Sequence, residues 1–207
     1  MSESYITKNA LAASMKKLME ERDFSKVTVA DICEGCGMNR KSFYYHFKDK
    51  YELVNWIFYE EFLKNMDVSR YKTSRDILED LCKYFYRERT FYENALMVEG
   101  QNSFREYLFE SMLPVIKTQT KDLFRDREYN LFFCVFLFTR RFLAAIISWL
   151  RDGEKIPPDE FLRQLHAILI TLAENFHRGE QRVRAGLIRP AFFFRHFFAG
   201  VSQNVTV

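Results

Sequence analysis

A chain of 207 residues, 48% of them hydrophobic and 17% aromatic, can bury a sizeable core and predicts one or two globular domains. Its 31 Lys and Arg against 28 Asp and Glu leave a net charge of +3, which neither establishes nor excludes a nucleic-acid partner. Polar residues interrupt the first ten positions, and Arg140 and Arg141 interrupt the longest apolar stretch, so we expect no secretory signal, no membrane span and a cytoplasmic location.

Helical periodicity without strand-like alternation, together with only 7 Gly and 4 Pro, predicts an all-α fold. Asn94, Gly100, Gly153 and the Pro157–Pro158 pair mark the expected breaks, and Pro114 predicts a kink or a split. The helices are predicted at about 7–22, 28–35, 39–46, 49–66, 74–89, 91–101, 104–124, 129–151 and 158–178.

The second and third of these helices have the pattern of a helix-turn-helix. Thr28 is a good N-cap, and Asp31 three residues later completes a capping-box-like start. Gly37 supplies the permissive backbone of a sharp turn, and Asn39 can cap the helix that follows. We therefore expect residues 1–50 to form an N-terminal three-helix DNA-binding domain.

The outward side of the third helix carries the candidate DNA-binding groups. Phe43 and Phe47 are spaced to anchor this helix inward. The side chains left on or near the outside can bond to phosphates and base edges in a major groove, and they are Arg40, Lys41, Ser42, Tyr44 and Tyr45. A solvated amphipathic hairpin within a helical bundle is the alternative that the residues alone leave open.

Four stretches carry a resemblance to a known family: TVADI at 28–32, CGM at 36–38, FYYHF at 43–47 and KDKYEL at 48–53. Over roughly residues 5–55 the chain resembles the DNA-binding domain of the TetR family of bacterial transcription regulators. The resemblance implies a helix-turn-helix domain followed by a helical-bundle regulatory and dimerisation domain. Within the family, FYYHFKDKYEL followed by Trp56 is similar to the dihydroxyacetone-kinase activator branch.

The same resemblance assigns roles to the recognition helix. It implies that Tyr44 and Tyr45 contact the sugar-phosphate backbone of double-stranded DNA, while His46 braces the helix packing. It places four residues at the base-reading end: Asn39, Arg40, Lys41 and Ser42. The helix start at Thr28, through its amides and hydroxyl, and Lys50, as a point charge, are each expected to bind a phosphate.

Cys33 and Cys36 form a C-x-x-C, which zinc sites and redox dithiols also use. A tetrahedral zinc site needs four ligands, and no second close Cys/His pair accompanies this one. Free cysteine packs as a small hydrophobe, so we predict core packing and no metal or cofactor.

The second domain, residues 51–180, is expected to bind an effector and to form a homodimer through its last two helices, as the resemblance implies. Two-fold symmetry matches a palindromic operator with half-sites about one turn apart. A small-molecule effector would need an apolar pocket, whose candidate lining is Phe85, Tyr86, Phe104, Tyr107 and Phe124. Plain core packing of these rings and a co-regulator protein in place of a small molecule both stay open.

The tail, residues 181–207, combines five Phe with four Arg. A packed helical end, a membrane-surface amphipath and a poorly ordered end are all compatible with it. No carboxylate–His constellation, glycine-rich phosphate loop or nucleophile motif occurs, so we expect no catalytic residues and no enzyme. A helical protein-interaction module without DNA binding is the alternative function.

Overall fold

The computed structural model describes residues 3–100, 102–120, 131–152 and 156–168, and within these ranges it contains helices and turns but no strand. The all-α prediction is confirmed. Two compact units divide the chain, Met1–Pro158 and Asp159–Val207. No helix in the described ranges combines the length and apolar character that a membrane span requires.

The helices follow in chain order with short connections. A 3-10 turn, Phe24–Lys26, links the first two helices, and another, Val68–Arg70, precedes the fifth. The helices are α1 (Glu3–Glu21), α2 (Val29–Gly35), α3 (Arg40–His46), α4 (Lys50–Phe58), α5 (Ser74–Arg87), α6 (Arg89–Leu96), α7 (Phe104–Thr120) and α8 (Leu131–Arg151). In the second unit residues 159–168 are helical, and Glu160 bonds to Arg163 and Gln164.

Two predicted features of these helices were wrong, and of the kink or split predicted at Pro114 the structure excludes the split. The fourth helix does not run unbroken as an α-helix, because a π-helical turn, Tyr59–Leu63, follows α4 and the amide of Lys64 bonds to the Tyr59 carbonyl at 2.8 Å. Asn94 does not break a helix but lies inside α6. Pro114 does not split α7, which continues through it, and the Thr118 hydroxyl donates to the Pro114 carbonyl at 3.0 Å.

The first three helices and the start of α4 share one apolar core, which we call the head. Its central side chains are fully buried: Leu11, Met15, Ile32, Phe43 and Leu53. Helices α1 and α2 approach closely at Gly35, where an added Cβ would lie 2.3 Å from the Ser14 Oγ. The same hydroxyl donates to the Ile32 carbonyl at 2.7 Å, which fixes the spacing of the two helices.

Helices α5 to α8, with the second half of α4, surround a core of aromatic rings, which we call the body. Phe58, Phe85, Tyr92 and Phe104 are each at most 2% exposed. Their ring centroids lie 4.7 Å (Phe85 to Tyr92) to 6.3 Å (Phe85 to Phe104) apart, in tilted and edge-on arrangements that aromatic pairs favour. Because α4 contributes Leu53 to the head and Phe58 to the body, it packs in both cores.

Candidate nucleic-acid interface

The turn between α2 and α3 has the predicted geometry. Gly37 has a φ of +67°, a backbone conformation that a residue with a Cβ rarely adopts. The amides of Gly37 and Met38 bond to the carbonyls of Glu34 and Cys33 at 3.1 and 2.8 Å, which satisfies the end of α2. The chain thus reverses within a few residues and presents α3 beside α2, as a helix-turn-helix requires.

Helix α2 begins with the predicted capping box. The Asp31 amide donates to the Thr28 hydroxyl at 3.2 Å, and the Thr28 amide donates to the Asp31 carboxylate at 2.8 Å. The Thr28 hydroxyl also donates to that carboxylate at 2.7 Å, and this bond is the main cause that lowers the pKa of Asp31. Asp31 places a carboxylate beside this helix start, with the Arg22 guanidinium 3.6 Å from it, and the Thr28 phosphate contact stays a prediction.

Helix α3 begins with a neutral cap. The Asn39 side-chain oxygen accepts bonds from the Ser42 amide at 2.8 Å and from the Ser42 hydroxyl at 3.2 Å. Phe43 and Phe47 are buried and lie 5.8 Å apart between centroids, so the predicted inward anchors are confirmed. His46 is half-buried between the rings of Tyr45 and Phe47, in agreement with a bracing role.

Four exposed side chains of α3 form a surface that we call the α3 face: Arg40, Lys41, Tyr44 and Tyr45. Tyr45 is 83% exposed and Tyr44 is 58% exposed, which is unusual for large rings on a short helix whose inner side is well packed. Neither Arg40 nor Lys41 forms an ion pair with a carboxylate of the described residues. The surface therefore offers two cations and two phenol hydroxyls to a partner.

Lys50 is used within the protein. Its ammonium donates to the carbonyls of Phe24 and Val27, both at 2.7 Å, and lies 3.4 Å from that of Ser25. Burial lowers the pKa of Lys50. An ammonium has three donors, and these carbonyls engage them, so Lys50 has a structural role in the head, and its phosphate contact stays a prediction. The sequence pattern did not reveal these acceptors because they lie 23 to 26 residues away.

The cysteine pair packs in the head. Cys33 is 3% exposed, whereas Cys36 is half-buried and its thiol lies 3.3 Å from the Ile32 carbonyl. Burial raises the pKa of both thiols, which disfavours the thiolate that metals and disulfide exchange require. No cluster of three or more metal-ligating side chains occurs in the described part of the chain.

The rings predicted to line an apolar pocket lie in different surroundings, and the pocket itself stays a prediction. Phe85 and Phe104 are buried in the body core, and Tyr86 stacks on Trp149 with centroids 6.0 Å apart. Tyr107 lines a different space, a polar cleft of about 350 Å³ between the start of α4 and α7. Phe124 lies outside the described residues.

Both parts of the chain are similar to known bacterial regulatory proteins. Residues 11–57 match the family described as "Bacterial regulatory proteins, tetR family". Residues 72–171 match a "Transcriptional regulator C-terminal region" named TetR_C_8. The two matched ranges follow each other along the sequence, the first in the head and the second in the body and beyond it.

A curated relative is the HTH-type dhaKLM operon transcriptional activator DhaS of Lactococcus lactis subsp. lactis (strain IL1403). It is 29% identical over 100 residues, which cover 48% of this chain and 54% of the relative. The match therefore spans about half the length of each protein.

Two solved structures share the fold. The dihydroxyacetone kinase operon activator DhaS superposes with a TM-score of 0.58 at 19% identity, over 82% of this chain and 97% of that one. NalD, the secondary repressor of the MexAB-OprM multidrug efflux pump in Pseudomonas aeruginosa, gives 0.54 at 18% identity over the same shares. At these identities the likeness concerns the fold.

Proposed function

We propose, from the premise that this chain belongs to the tetR family of bacterial regulatory proteins, that it is a transcription regulator rather than an enzyme. It acts as a homodimer on a palindromic DNA operator, and a small molecule or a partner protein changes its affinity for that operator. The observation that carries the proposal is the α3 face, whose unpaired cations and exposed rings stand on a helix-turn-helix.

In this proposal α3 lies in the major groove. Arg40 and Lys41, at the first turn of α3, reach base edges, where a bidentate arginine–guanine pair discriminates against other bases by about 1–3 kcal/mol. Tyr44 and Tyr45 lie one turn further and contact the sugar-phosphate backbone. Asn39 and Ser42 contribute at the rim of this contact, with the cap bonds between them fixing their orientation.

A second copy of the chain supplies the other half-site, since one short recognition helix reads only a few base pairs. Apolar side chains at the start of α8 are exposed, with Phe132 at 72% and Leu137 at 43%, and they suit a helical dimer interface. The predicted partner helix, 158–178, is described only as far as residue 168.

Regulation would act through α4, which packs in both the head and the body. Phe58 of α4 contacts Phe104 of α7 with centroids 5.3 Å apart, so a shift of the body core moves α4. A change of its tilt would alter the spacing between the two heads of a dimer and so the affinity for a fixed operator. The relatives are named as an activator and a repressor, and a reporter gene behind the operator would give the sign here.

The test is a titration of the purified chain against DNA fragments from upstream of its own and neighbouring genes, at about 50 and 200 mM salt. We expect a saturable mobility shift on one fragment at two subunits per site. Arg40→Ala should reduce the preference for that fragment.

The alternative is a helical protein-interaction module without DNA binding. Phosphate contacts are strongest at low salt, so absence of binding to any duplex at about 50 mM salt, with and without cell extract as a source of effector, would favour that alternative.

A further inference from the structure

One side chain of the body holds the backbone of the head. The Asn94 side-chain oxygen on α6 accepts a bond from the Phe24 amide at 2.7 Å. Its amide nitrogen donates to the Arg22 carbonyl at 2.8 Å and to the Met19 carbonyl at 3.3 Å. A single side chain thus forms three hydrogen bonds to backbone groups that lie 70 to 75 residues earlier in the sequence.

These backbone groups are ones that a helix end leaves without partners. The last carbonyls of α1 have no amide of the next turn to accept from, and groups of this kind need partners from elsewhere in the structure. Asn94 supplies the partners for the carbonyls of Met19 and Arg22. Lys50 supplies the partner for the Val27 carbonyl and a second donor, beside the Val27 amide, for the Phe24 carbonyl. The segment between α1 and α2 is therefore held by α6 on one side and by α4 on the other.

Helix α6 is firmly part of the body. Phe91, Tyr92, Ala95 and Leu96 are buried, and the Tyr92 hydroxyl lies 2.6 Å from that of Tyr84 on α5. Only Val27 and Thr28 separate the 3-10 turn from the start of α2. A displacement of α6 is consequently passed through Asn94 to the segment that sets where α2, and with it α3, begins.

We propose that Asn94 is a positioning residue that couples the body to the DNA-binding head. This inference rests on the proposed function and adds a connection between body and head that is distinct from α4. When α6 keeps its place, Asn94 holds the segment from Met19 to Phe24 in the geometry that places α3 for DNA. Loss of these bonds lowers the fraction of heads in the binding-competent position, and the apparent affinity falls by that fraction.

The test compares Asn94→Ala with Asn94→Asp in the full-length protein. Alanine removes all three bonds without adding charge, whereas aspartate keeps the acceptor for the Phe24 amide and loses both donors. Asn65→Ala is the matched control, because the Asn65 amide also donates to two carbonyls, those of Glu60 and Glu61, but within the single segment that follows α4.

Hydrogen exchange is the first readout and needs no DNA. We expect amides of residues 22–27 to exchange about tenfold faster in Asn94→Ala, less so in Asn94→Asp, and at the wild-type rate in Asn65→Ala. Unchanged exchange of these amides in both Asn94 variants would overturn the inference. If Asn94→Ala does not fold, Asn94→Asp alone decides.

Operator-binding kinetics are the second readout. A smaller competent fraction slows association, so we expect the association rate of Asn94→Ala to fall about tenfold while dissociation stays within about twofold. A lost DNA contact would instead speed dissociation. If the wild type binds DNA and Asn94→Ala associates at the wild-type rate, the inference is overturned and the proposed function stands. Failure of the wild type to bind any DNA counts against the proposed function.

Discussion

The two short helices of the head start with similar capping bonds but leave opposite charges at the surface. At α2 the Thr28–Asp31 box places a carboxylate at the helix start, and Arg22 lies 3.6 Å from it. At α3 the cap is the neutral Asn39, followed at once by Arg40 and Lys41, which have no carboxylate partner in the described chain.

This difference separates what a cap does for the protein from what it leaves for a partner. Both caps satisfy backbone amides, so both stabilise their helix. The positive end of the α2 dipole is already balanced by Asp31, while at α3 the dipole and two cations add. Charge balance at the helix start therefore distinguishes α2, which supports the head, from α3, which we propose to bind DNA.

Arg40→Ala should have the largest effect. The preference for the cognate operator over random DNA should fall about 10- to 100-fold, because a base-reading pair is worth about 1–3 kcal/mol. The measurement is competition binding with both DNAs at one salt concentration. An equal loss on cognate and random DNA would show that Arg40 contacts phosphate and not a base.

Lys50→Met and Lys41→Met should have opposite outcomes, although both remove one cation. Lys50→Met leaves the Val27 carbonyl without its donor and removes one of the two donors to the Phe24 carbonyl, which keeps the Val27 amide. We expect the unfolding free energy to fall by about 1–3 kcal/mol, with an unchanged salt dependence of DNA binding. Lys41→Met should keep the stability and flatten that dependence. Denaturant unfolding and salt titrations measure the two effects, and a flattened dependence in Lys50→Met would support a phosphate role for Lys50.

Asn39→Asp would give α3 the charge that α2 carries. Aspartate can keep the acceptor for the Ser42 amide, so the thermal midpoint should stay or rise. DNA affinity at about 50 mM salt should fall about fivefold because a carboxylate now faces phosphates. An unchanged affinity would place DNA away from the start of α3.

Asp31→Asn is the converse change and should have the smallest effect on DNA. Removal of the charge at the start of α2 should raise DNA affinity about twofold at low salt. A decrease would mean that Asp31 orients the head for DNA more than it repels the phosphates.

The acid stability of the same variant tests the pKa shift of Asp31. Since the Thr28 hydroxyl and amide lower the pKa of this carboxyl, its contribution to stability is present above the ordinary value of about 3.9 and is lost as pH falls through the lowered folded pKa. The difference in melting temperature between wild type and Asp31→Asn should therefore shrink between about pH 5 and pH 2. A constant difference over this range would contradict the cap geometry.

Local signals predicted the head well. Thr28, Gly37 and Asn39 act within three or four residues of their own positions, and capping and turn chemistry of this range can be recognised in one sequence. Phe43 and Phe47 were found by their spacing for the same reason. The fold class followed from helical periodicity over long stretches.

Long-range polar contacts could not be predicted. Lys50 on a helix start and Asn94 in mid-helix look like a phosphate ligand and a helix breaker, and only the packing of α4 and α6 against residues 19–27 brings the acceptors to them. The rings of the body were ambiguous in another way, because periodicity marks Phe85 and Phe104 as inward but does not tell a filled core from a lined cavity.

The π-helical turn at Tyr59–Leu63 has a consequence for how this chain can change in length. Such a turn accommodates one extra residue within an α-helix and shifts the angular position of everything after it. In this chain Glu61 of the turn meets Lys16 of α1 at 3.0 Å and the Tyr84 hydroxyl at 2.8 Å. A single-residue deletion there would keep a continuous helix yet rotate this carboxylate away from both. Insertions and deletions in homologues should therefore be tolerated in the connection after Leu63 and avoided within the turn itself.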